Sequence, residues 1–88
     1  MKIWKYQIPL KAKSVIELPC DARILQVQAQ GNDIVFWAIV NPHASVEERT
    51  FYVVGTGQSL PKIDYEDGIT YRGTVQFDGF VWHIFVGV

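Results

Sequence analysis

The run Ile34-Val35-Phe36-Trp37-Ala38-Ile39-Val40 constrains this chain more than any other stretch. Seven apolar residues follow one another, four of them β-branched and two aromatic. Branched and aromatic side chains favour a pleated sheet over a helix. Successive residues of a strand point to opposite faces, so a strand with no polar member is expected to be covered on both. Seven residues are too few to cross a membrane. The run therefore predicts the central strand of a small β domain.

Around it, period-two patterns recur. Residues 2–8 alternate, with Trp4, Tyr6 and Ile8 on one side and Lys5 and Gln7 on the other, and Pro9 closes them. Lys11-Ala12-Lys13 reads as a turn, and Ser14 to Leu18 as a short strand ended by Pro19. In Arg23 to Gln30, Leu25, Val27 and Ala29 share one face and Gln26, Gln28 and Gln30 the other. Gly31-Asn32-Asp33 then predicts an antiparallel hairpin into the central strand. Ser45-Val46-Glu47-Glu48 fits a capping box and predicts one helical turn before the apolar strand Thr50 to Val54. Ile69 to Phe77 alternates, with Gly73 on the inner side predicting a bulge or a close approach. Asp78-Gly79 is a hairpin signal, and Phe80 to Val86 is apolar on both faces apart from His83.

These elements predict one all-β domain over residues 1–88, a small antiparallel sandwich or partly open barrel of about six or seven short strands. The strands at 34–40, 50–54 and 80–86 carry more apolar surface than one closed core in so small a domain needs. A loop folded over the core would absorb the excess, and a self-association surface is the stronger expectation.

Eight basic residues against nine acidic leave a net charge of −1, which gives no footprint for nucleic acid or a membrane surface. The one Cys excludes an internal disulfide framework, and Met1 to Gln7 lacks the apolar core of a signal peptide. A cytoplasmic protein is the expectation.

Signals for chemistry are sparse. Cys20, between Pro19 and Asp21, has no base near it in sequence and reads as a turn thiol. His43 belongs to a turn, and His83 reads as a hydrogen-bonded packing residue. No Cys/His spacing suits zinc, so neither metal nor cofactor is expected. Glu47 and Glu48, and the cluster Asp64, Glu66 and Asp67, read as solvated charges. With no nucleophile, base and orienting group in view, an enzyme is not expected. Gly55-Thr56-Gly57 is the one loop suited to an anion, because paired glycines let backbone N–H groups converge. It matches neither a phosphate-binding P-loop nor a dinucleotide fingerprint. Arg49, Lys62 and Arg72 could add positive charge beside it.

The combination Phe36-Trp37-Ala38, Val40-Asn41-Pro42, Glu48-Arg49-Thr50-Phe51, Gly55-Thr56-Gly57 and Pro61 resembles a family of small uncharacterised proteins of bacteriophages and prophages. The likeness extends to Ile16-Glu17-Leu18-Pro19, Ala22 to Val27, Tyr71-Arg72-Gly73-Thr74 and Val81 to Phe85, and so covers nearly the whole chain. Cys20-Asp21 departs from the family pattern, where a Gly usually precedes the Ala. The resemblance implies an accessory protein of the host cytoplasm that counters host defence by binding a host protein or a ligand.

The resulting expectation is a non-enzymatic, homo-oligomeric binding module. Its alternatives are a sponge for an anionic nucleotide, held by Arg49, Gly55, Thr56, Gly57, Lys62 and Arg72, and a purely structural self-assembling module.

Overall fold

The computed structural model describes residues 1–60 and 68–87. Seven strands follow in order: β1 (Lys2–Ile8), β2 (Lys13–Pro19), β3 (Arg23–Gln30), β4 (Asp33–Val40), β5 (Val46–Gly55), β6 (Ile69–Phe77) and β7 (Phe80–Gly87). They form two antiparallel sheets, ordered β1-β4-β3 and β2-β5-β7-β6. Along one side β3 and β6 lie against each other. On the other, β1 and β2 are both sheet edges. The result is a sandwich, and no closed barrel.

Two tight hairpins follow from local chemistry. Asp78 and Gly79 both sit at positive φ (53° and 79°), as a type I′ turn demands. Gly31, at φ 59°, turns β3 into β4. The cross-strand pairs Gln30 with Asp33 and Phe77 with Phe80 fix both registers.

Between the sheets lies a dry core. Ile34, Phe36, Ala38 and Val40 of β4 point inward and are essentially inaccessible, as are Leu18, Phe51, Ile84 and Val86 of the opposite sheet. Phe36 stacks on Phe51 at 4.9 Å, which joins the layers, and Tyr6 stacks on Phe36 at 5.1 Å. Among the described residues no polar or charged residue is buried as a whole, although the Ser14 hydroxyl is enclosed without a hydrogen-bond partner.

Several expectations change here. The segment at 45–48 is not helical: β5 starts at Val46, where Pro19, Leu18 and Glu17 of β2 pair with Val46, Glu47 and Glu48. A partner strand outweighs a local capping signal. Lys13 likewise begins β2 rather than ending a turn. In β3 the register shifts between Ile24 and Gln26, so Leu25 is an extra residue and 46% exposed, while Ile24 and Val27 fill the core.

The bulge expected near Gly73 is present, and the residue passed over is Arg72. Its effect is to divide the apolar residues of β6 between faces: Ile69 and Tyr71 pair with Gly87 and Phe85 on the outer face, and Val75 belongs to the core. Gly73 also allows the close approach, since a Cβ there would lie 3.3 Å from Val27 Cβ.

The two-faced strands do not share one explanation. On the outer face of the second sheet, Tyr52, Val54, Ile69 and Phe85 form a separate buried cluster within the single chain. The central strand β4 differs, because no further layer of described strands covers its outer face. Val35 is buried there among flanking side chains, whereas Trp37 and Ile39 stay partly exposed.

Replacing Phe51 with Ala should lower stability by about 3–5 kcal/mol in chemical denaturation, since it removes the ring that joins the layers. Ser14→Ala should raise stability by about 1 kcal/mol, by deleting an enclosed hydroxyl that has no partner. Burial pushes the Tyr6 phenol above its ordinary 10.0. The neutral ring is therefore the folded form, and its contribution is complete below pH 10 and lost as pH rises through the raised value. Tyr6→Phe should flatten the alkaline limb of a plot of melting temperature against pH.

Candidate functional site

Three places could carry function: the loop after β5, the polar row centred on His83, and the outer face of the β1-β4-β3 sheet.

The loop is held by its own atoms. Gly55 N–H donates to Gln58 Oε1 (2.7 Å), Thr56 N–H to the Val81 carbonyl (3.1 Å) and Gln58 N–H to the Gly55 carbonyl (3.0 Å). Three amides that could have faced an anion thus have internal acceptors. Gly57 sits at φ 90° with open space around it, so conformation and not crowding selects glycine. Gly55 is selected by crowding, since a Cβ would meet Gln58 and Trp82 at 3.1–3.2 Å. The loop does border an open cleft, shared with Phe80, Val81 and Trp82.

The expected cations are not gathered beside it. Arg49 lies six residues before Gly55 on the same strand, about 20 Å away at strand rise. Its Nη1 donates to the Ala22 carbonyl at 2.9 Å, tying β5 to the connection between β2 and β3. Arg72 is the exposed extra residue of the β6 bulge. Lys62 lies outside the described residues, as do Asp64, Glu66 and Asp67.

His83 is hydrogen-bonded on both sides. Thr74 Oγ1 lies 3.0 Å from Nδ1 and Thr56 Oγ1 2.8 Å from Nε2, and Tyr71 Oη continues the row 2.6 Å from Thr74 Oγ1. A neutral imidazole donates from one nitrogen and accepts at the other, and hydroxyls can serve either tautomer. This ties the loop to β6 and β7. The Thr74 contact was accessible from sequence, because counting back from the Asp78-Gly79 turn places Thr74 opposite His83. Thr56 was not, as it depends on β5 pairing with β7.

Cys20 sits where β2 ends, its N–H bonded to the Ser45 carbonyl at 2.7 Å. The carboxylate of Asp21 raises its thiol pKa, with Glu47 adding to the effect, so the thiolate is disfavoured. Glu17 and Glu48 stand opposite each other on an exposed sheet edge, within strands and not in a loop. No group of three or more His, Cys, Asp or Glu among the described residues could hold a metal ion. No helix among them is long and apolar enough to cross a membrane.

The outer face of β4 is partly polar and partly apolar. Ile3 and Arg23 flank Ile39, Lys5 and Gln26 flank Trp37, and Gln7 and Gln28 flank Val35. Lys5 Nζ reaches Gln30 Oε1 at 2.8 Å, and Gln7 Nε2 reaches Asp33 Oδ1 at 2.9 Å. These polar links border the face at the end where the turn lies. At the opposite end Ile3, Ile39 and Trp37 form an apolar strip, with Ile3 62% exposed.

In comparisons with known proteins, the family model of a domain of unknown function, DUF7352, matches residues 1–88. No curated protein and no solved structure matches the chain.

Gly57→Ala should cost about 1–3 kcal/mol through backbone strain alone, measurable by thermal melting. Cys20 in the folded chain should react with iodoacetamide near pH 8 more slowly than in the denatured chain, where its neighbours no longer hold the proton on sulfur.

Proposed function

We propose that this chain, which belongs to the DUF7352 family over residues 1–88, is a non-enzymatic binding module that works as a homo-oligomer. The observation carrying the reading is the apolar strip of Ile3, Trp37 and Ile39 on the outer face of a central strand. An apolar strip bordered by polar side chains is the usual character of a surface that meets a partner. The chemistry elsewhere agrees with binding. Both nitrogens of His83 are engaged by hydroxyls, and the Cys20 thiol is held in its protonated, weakly nucleophilic form.

The likeness of its motifs to small phage and prophage proteins supports an accessory role in a host cytoplasm, countering host defence by engaging a host protein. The sponge for an anionic nucleotide draws less support. Arg49 is remote from the loop, and three of the loop's amides already have acceptors.

Light scattering coupled to size exclusion should give a mass that is a multiple of 10.0 kDa at micromolar concentration. Ile3→Lys should shift the mass to one chain while changing stability by no more than about 0.5 kcal/mol, as an exposed substitution does. A monomeric native chain would remove the oligomer from this reading.

A further inference from the structure

The two exposed apolar residues of β1 lie on opposite faces of the sheet. Ile3 is beside Ile39 on the outer face, and Trp4 is beside Ala38 on the inner one. They are 62% and 39% exposed, and Lys2 and Lys5 on either side of them are exposed as well. A partner resting on one face could cover one of the two. A strand added along the edge would touch both, because its alternate side chains straddle the sheet.

That edge is open. Among the described residues β1 pairs with β4 alone, so its other side offers a row of main-chain donors and acceptors seven residues long. Its charge has one sign: residues 1–16 hold four Lys and neither Asp nor Glu. Two copies of β1 side by side would bring four exposed lysines of that strand together with no acid to offset them. An acidic strand meets opposite charge instead.

We propose that β1 is a docking edge for an extended segment of a partner protein in which two adjacent apolar residues are flanked on each side by an acidic one. The segment adds antiparallel to β1. Its main chain supplies the hydrogen bonds, its apolar side chains extend over Ile3 and Trp4, and its carboxylates meet Lys2 and Lys5. The inference rests on the reading of the chain as a binding module, and it names the chemistry of the partner.

The probe is a capped ten-residue peptide with the central sequence Glu-Val-Val-Glu, with the corresponding Lys-Val-Val-Lys peptide as control. Calorimetry should show binding of the acidic peptide only, weakened by raising salt from about 0.05 to 0.5 M. Lys2→Glu combined with Lys5→Glu should weaken it by about tenfold or more, with the melting temperature checked to show an intact fold. Hydrogen exchange should slow when the peptide binds at the alternate amides of β1 that point away from β4. Failure of the native protein to bind would leave the lysines as guards against edge-to-edge aggregation and overturn the proposal. Protection confined to other strands would overturn it too, as would protection in the free protein of the β1 amides that point away from β4, which would mean that a second copy holds the edge. Oligomer mass measured on the same samples separates the readings. Peptide binding by a monomer removes self-association alone, and an oligomer that ignores the peptide removes this proposal alone.

Discussion

The contact between Phe36 and Phe51 is what the rest of the molecule depends on. Each ring is fully enclosed, and each belongs to an interior strand of its sheet, so their 4.9 Å separation sets how closely the layers approach. Everything nearer the surface is arranged around that spacing. Tyr6 extends the stack to the β1 edge, Leu18 and Ile84 enclose it from the second sheet, and Val27 meets the gap at Gly73 on the side where the sheets converge. A domain of this size buries a modest fraction of its surface, and a centre made of large rings uses that fraction well.

Two added residues shape the rest. Leu25 and Arg72 each put one strand out of step with its neighbour, and each moves apolar side chains to faces that simple alternation does not give them. At β6 the shift leaves Ile69 and Tyr71 beside β7 on the outside, where Ile69 joins Tyr52, Val54 and Phe85. The second sheet therefore satisfies both faces of its inner strands within one chain, and the first sheet does not. That asymmetry is what leaves Ile3 exposed and Trp37 and Ile39 partly so.

Much of this was legible in the residues, and the failures have physical causes. The hairpins at Gly31-Asn32 and Asp78-Gly79 were readable because the turn chemistry is local, and Gly73 because a glycine inside a strand marks an irregularity. The extension of β5 back to Val46 was not, since it rests on pairing with a strand nearly thirty residues away. The position of the Leu25 bulge was hidden by an alternation that looked regular without it. The candidate site was less legible than the fold. His83 read correctly as a hydrogen-bonded residue, but Arg49 seemed close to the glycine loop because six residues look short in sequence, whereas a strand extends them over about 20 Å. The role of Gln58 in closing the loop required a rotamer that no pattern encodes.

The pairing of β1 with β4 also has a consequence in time. Lys2 pairs with Val40, and Ile8 with Ile34, so β1 leaves the ribosome ahead of the other six strands and has no neighbour in its sheet until β4 is made. At about 5–20 residues per second, β1 waits roughly two to six seconds after its own synthesis for β4 to be completed. Through that interval an apolar, strand-forming segment is open to any other nascent chain nearby. Lys2 and Lys5 within it, and Lys11 and Lys13 soon after, are the charges that keep such a segment apart from its like. The lysines of β1 thus bear on the strand during synthesis as well as in the finished sheet.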